Sequence, residues 1–134
     1  MSTYKPTIAF DFDGVICYYD SWNGPEVIKG GPVLGIKALL SCLADDYKLI
    51  IISSRAKSKE GKEAILRWLK EYNLEYFDDV TCIKEPALVY IDDRAVRFTD
   101  SDQLVRKLSR LNDIYIDKKQ YKKLAKIEYE EVLD

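Results

Sequence analysis

Asp11 and Asp13, Ser53, Lys84 and the pair Asp92-Asp93 are the residues of this chain whose types and positions can do chemistry. Asp11 follows the apolar run Thr7-Ile8-Ala9-Phe10. A carboxylate at such a tip can attack a phosphoryl group and split hydrolysis into two easier displacements through an acyl phosphate. Asp13, two residues on, is placed to protonate the departing oxygen and then to activate the water that cleaves the intermediate. Gly14 lets the backbone turn sharply beside these groups. Two carboxylates next to a phosphate repel it unless positive charge is supplied. A Mg²⁺ held by Asp11, the backbone carbonyl of Asp13 and the Asp92-Asp93 pair would supply it. Ser53 can hydrogen-bond a phosphoryl oxygen, and Lys84 can stabilise charge on the phosphorylated aspartate. Ser54, Arg55 and Arg94 flank these positions and are candidates for substrate contacts. A structural ion pair is the competing reading for both arginines.

These groups work together only if the fold gathers them. Thr7 to Phe12 reads as a short buried strand, and Leu49-Ile50-Ile51-Ile52, Val80-Thr81-Cys82-Ile83 and Ala87-Leu88-Val89-Tyr90-Ile91 read as three further short strands. Pro32 is placed to open a helix carrying Val33, Ile36, Leu39, Leu40 and Leu43. Ile65, Leu66, Trp68, Leu69 and Tyr72 make the apolar face of a second helix. Ser101 is a candidate N-cap for a third, carrying Leu104, Val105, Leu108 and Leu111. Strands alternating with amphipathic helices predict a three-layer α/β/α, Rossmann-like fold with a mainly parallel sheet. Such sheets place their ligand site at the carboxyl ends of the strands. Asp11, Ser53, Lys84 and Asp92-Asp93 would therefore converge at one edge.

Composition limits the other possibilities. The chain has 134 residues, 47% hydrophobic and 33% charged, with a formal net charge of −2. That suits one soluble domain and argues against an overall electrostatic attraction to nucleic acid or an anionic membrane. There is no histidine, which removes histidine triads, His-ligated zinc and imidazole catalysis and favours a hard cation on oxygen ligands. Cys17, Cys42 and Cys82 are odd in number and lack a C-x-x-C spacing, so a reduced, cytoplasmic setting is expected. None of the three has an arginine six positions later, as a thiol phosphatase loop requires. No apolar run is long enough to span a bilayer.

Asp11-Phe12-Asp13-Gly14-Val15 resembles the first signature of the haloacid dehalogenase superfamily, and Ser53, Lys84 and Asp92-Asp93 follow in that family's order. The resemblance spans about residues 7 to 98. It implies a HAD-like fold, Mg²⁺ as cofactor and a phosphatase using Asp11 as nucleophile, with Asp93 as direct metal ligand and Asp92 in support. Relatives carry cap domains after the first motif or between the serine and the lysine. Here Val15 to Gly31 is only a flap, with Tyr18, Tyr19 and Trp22 able to stack on a base or sugar or to pack onto the core. A capless, open site is therefore expected, with a phosphorylated small molecule or a nucleic-acid end as substrate.

Receiver domains use similar groups, but there the acidic pair comes first; here it comes last. A sugar-nucleotide transferase would need a larger donor-binding fold. The remaining alternative is a non-catalytic or regulatory module that binds phosphate or metal. Residues 1–112 read as the core, and 113–134 as a C-terminal helical extension. In that tail five lysines precede four acids, opposing the helix macrodipole, so a helix there is expected to dock on the core or on a neighbouring subunit. A frayed terminus is the other reading.

Overall fold

The computed structural model describes residues 4–133. Strands β1 (Thr7–Phe10), β2 (Lys48–Ile52), β3 (Asp79–Thr81) and β4 (Val89–Ile91) form one all-parallel sheet in the order β3-β2-β1-β4. The expected α/β class and parallel sheet are both observed. Phe10 lies opposite Ile51 on one side and Ile91 on the other, so the tips of β1, β2 and β4 end level. That register brings Asp11, Ser53 and Asp92 out at the same edge.

Helices α1 (Ile36–Leu43) and α2 (Lys59–Glu71) fill the crossovers from β1 to β2 and from β2 to β3. Both crossovers step in the same direction along the sheet, and right-handed connections then put both helices on one face. The packing agrees: alternate strand residues Ile8, Phe10, Leu49 and Ile51 share a cluster with Ile36 and Leu40 of α1 and Ile65, Trp68 and Leu69 of α2. Each such side chain taken from water contributes about 1.5–3 kcal/mol. Ala9 and Ile50 point to the opposite face and are 2% exposed. The return from β3 to β4 uses residues 82–88 and no helix.

Three local expectations are corrected. Pro32 does not open α1: it sits in an isolated antiparallel bridge with Cys17, and the Val33 N–H donates to the Ile16 carbonyl at 2.9 Å. The flap pairs with this backbone, and Gly35, at φ 87°, holds a left-handed turn immediately before Ile36. The cap of helix α3 (Ser101–Ser109) is Asp100, whose Oδ1 accepts the Gln103 N–H at 2.8 Å; Ser101 is the first helical residue. Leu66, expected on the apolar face of α2, is 47% exposed.

By contacts the chain divides into two compact units, Met1–Asp93 and Arg94–Asp134. The sheet, α1 and α2 belong to the first; α3 and α4 (Lys118–Leu133) make the second. Within the second, the Tyr121 hydroxyl donates to Asp102 at 2.7 Å and the Lys107 ammonium to the Arg97 carbonyl at 2.6 Å. No helix of the described residues is long and apolar enough to cross a membrane.

Candidate functional site

Asp11 leaves β1 with its N–H donating to the Ile91 carbonyl at 2.8 Å, which continues the ladder with β4 past the last strand residue. This bond ties the tips of β1 and β4 together and sets Asp11 beside Asp92 and Asp93. One carboxylate oxygen from each of the three lies within 4.8 Å of the others. Asp11 is half-buried, while Asp92 and Asp93 are exposed. Oδ1 of Asp11 accepts the Phe12 N–H at 2.9 Å. Burial pushes the Asp11 carboxyl up to about 6, the Phe12 N–H opposes this, and the charges of Asp92, Asp93 and Asp13 add to it. Such an all-oxygen donor set is of the kind that Mg²⁺ takes. The residues present therefore fit the expected cofactor.

Gly14 makes the site possible. Its φ is 84°, and a Cβ there would overlap Oδ2 of Asp93. Glycine both permits the left-handed turn and leaves the space the Asp93 carboxylate occupies.

Asp13 is turned to a different partner. Arg55 donates to both of its carboxylate oxygens, Nε to Oδ2 at 2.8 Å and Nη2 to Oδ1 at 3.0 Å. The Nη1 of the same guanidinium donates to the carbonyls of Gly24, Pro25 and Val27 at 2.9–3.1 Å. Its carbon lies 4.8 Å from the centre of the Trp22 ring. Arg55 is 2% exposed, so this is a buried charge with its donors engaged. Of the two sequence readings for Arg55, the structure displays the ion pair.

The flap is closed on itself and pinned. The Tyr18 N–H donates to Gly31, and the Trp68 indole N–H donates to the Gly30 carbonyl, each at 2.9 Å. A Cβ at Gly30 would collide with the Tyr18 carbonyl. Cys17 is buried within the flap, and burial raises its thiol to about 11, with the Asp13 charge adding to the rise. Such a thiol stays protonated at neutral pH and packs rather than reacts.

The remaining sequence candidates are distributed as follows. Ser53 is 4% exposed at the tip of β2; its Oγ accepts the Arg55 N–H at 3.2 Å and caps the 3-10 turn Ser54–Lys57. Ser54 is exposed on that turn. Lys84 lies three positions past the end of β3, exposed, with its ammonium 4.6 Å from the centre of the Tyr90 ring. Arg94 is exposed and opens the second unit. The structure thus brings together Asp11, Asp92 and Asp93 as one group and Asp13, Arg55 and Ser53 as a second. It sets Lys84 on Tyr90.

Sequence reasoning missed the reach of Arg55 to Gly24, Pro25 and Val27 and the tether from Trp68 to Gly30. Only the second left a signal: a tryptophan on a buried helix face needs a partner for its N–H.

No family model matches this chain, and neither the curated proteins nor the solved structures contain a match to it.

Proposed function

We propose that this chain is a phosphomonoesterase working through a phosphorylated Asp11, with Mg²⁺ as cofactor, on a three-layer, capless HAD-like core. The observation that carries this reading is that one carboxylate oxygen from each of Asp11, Asp92 and Asp93 lies within 4.8 Å of the others at adjacent strand tips, with Asp13 two residues after Asp11. An Asp11 oxygen attacks phosphorus as the ester oxygen leaves, and Asp13 gives that oxygen its proton. Asp13 then takes a proton from water, whose oxygen attacks the phosphorus. The acyl phosphate breaks, inorganic phosphate departs and the Asp11 carboxylate returns. Asp11, Asp92, Asp93 and the Asp13 carbonyl would hold Mg²⁺, which neutralises charge on the phosphoryl oxygens. Ser53 and Lys84 would supply further donors to those oxygens: the Ser53 Oγ accepts from the Arg55 N–H, which leaves its O–H to donate, whereas Lys84 would have to leave the Tyr90 ring.

Between Ser53 and Lys84 lie only the 3-10 turn, α2 and β3, leaving the site open to a large leaving group. Tyr18, Tyr19 and Trp22 are about half exposed on the flap and suit a nucleotide or a nucleic-acid end. A cytoplasmic setting goes with this reading. The bidentate hold of Arg55 on Asp13 favours a second reading, a phosphate- or metal-binding module that turns nothing over, because both acid–base oxygens are already engaged.

Hydrolysis of an aryl phosphate, with and without Mg²⁺, separates the two. Metal-dependent turnover that vanishes in Asp11→Asn and falls sharply in Asp13→Asn is expected of the phosphatase. Folded, Mg²⁺-loaded protein that hydrolyses neither this ester nor a panel of nucleotides and phosphorylated oligonucleotide ends would establish the module instead.

A further inference from the structure

The second unit exposes a run of apolar side chains of the kind that marks an interaction surface. None of its described residues is buried. On α4, Leu124 and Ile127 are 54% and 50% exposed, Tyr129 69%, and Val132 and Leu133 83% each. Tyr121, Leu124, Ala125, Glu128, Tyr129 and Val132 recur at three- and four-residue spacing in a stripe on one side of α4; Ser101 of α3 borders this side beside the half-buried Tyr121 and Ala125, and Leu124, Tyr129 and Val132 stay exposed along it. The charges along the same helix are segregated. Lys118, Lys119, Lys122, Lys123 and Lys126 occupy the amino-terminal part, and Glu128, Glu130 and Glu131 the carboxyl-terminal part. Each group lies at the helix end whose dipole repels it.

A second α4 running antiparallel answers both features. Its glutamates come beside the first helix's lysines, its lysines beside the glutamates, and the two stripes cover each other. An anionic membrane or nucleic acid would meet the glutamates as well as the lysines, so a like helix is the better complement. We propose that α4 is a homodimerisation helix, pairing antiparallel with a second copy of this chain about a two-fold axis, so that each lysine half meets a glutamate half.

Sedimentation equilibrium of the full chain at micromolar concentration tests this. The expected result is a dimer that Leu124→Asp with Val132→Asp converts to monomer; both positions are exposed in the single chain, so folding is not at stake. Lys122→Glu with Lys123→Glu gives a monomer, as does Glu128→Lys with Glu131→Lys. Mixing these two monomers restores a one-to-one dimer, and so does combining all four changes in one chain. A chain that stays monomeric at every concentration overturns the proposal. So does a dimer indifferent to these substitutions, or charge swaps that fail to rescue one another.

Discussion

Arg55 and Asp13, 42 positions apart in the chain, meet as a bidentate pair with 2.8 and 3.0 Å contacts, and the same guanidinium binds three carbonyls of the flap. A single side chain therefore couples the second carboxylate of the site to residues 24–27. Removing it leaves a partly buried charge and three carbonyls without their donor.

Arg55→Ala is expected to cost about 3–5 kcal/mol, the range for breaking a buried pair from one side. Arg55→Lys keeps the charge but not the fork and should recover only part of the loss. Denaturant unfolding measures both. Loss of under about 1 kcal/mol for Arg55→Ala, the scale of a surface pair, would show that the clamp does not hold the flap.

Asp11 gives a pH dependence whose sign follows from its raised value of about 6 against an ordinary 3.8. The folded chain holds this proton more tightly than the unfolded chain. Without divalent cation, the Asp11 contribution to stability is therefore fully present below pH 4, falls as pH rises to about 6 and is level above. Asp11→Asn cannot ionise, so it should be more stable than the parent above pH 6, with the margin shrinking toward pH 4. Unfolding midpoints in chelator across that range decide it; a margin independent of pH would refute the assignment.

Apparent Mg²⁺ affinity should weaken as pH drops below about 6, because the cation must displace the Asp11 proton. Calorimetric titrations in buffers of different ionisation enthalpy would reveal the proton released. Affinity that does not change between pH 5 and pH 7 counts against Asp11 as a ligand.

Gly14→Ala meets two obstacles, a φ of 84° and the Asp93 carboxylate where its Cβ must go. The backbone conformation alone costs about 1–2 kcal/mol. Displacing Asp93 should in addition weaken metal binding, which Gly→Ala at an unconstrained turn would not do. Equal Mg²⁺ affinity in parent and variant would mean that Asp93 is not held by this contact.

Trp68→Phe keeps the packing against Phe12, whose ring centre lies 5.0 Å away, but removes the N–H that donates to Gly30. A loss of about 1 kcal/mol is expected, with faster proteolysis confined to the flap. Cleavage that begins elsewhere would show the flap is held by other contacts.

Some of this was legible without coordinates, because it depends on local pattern. Apolar runs such as Leu49–Ile52 and the apolar spacing of Ile65, Trp68 and Leu69 carry their own periodicity, so the parallel α/β class follows from neighbours in the chain. Acids placed directly after such runs, Asp11 and Asp92-Asp93, then emerge at one sheet edge whatever the loops do. Helix starts were less legible: Pro32 is a good first helical residue, yet its backbone bridges to Cys17 of the flap instead.

What the sequence by itself determined was which carboxylates lie at the strand tips; the tertiary structure alone decided what each would touch. Nothing near Asp13 in the chain points to Arg55, nothing near Gly14 points to Asp93, and nothing near Trp68 points to Gly30. Those pairings depend on the register of β1 against β4 and on where the flap folds back. Both are products of whole-chain packing, in which a shift of one residue would send every side chain to the opposite face.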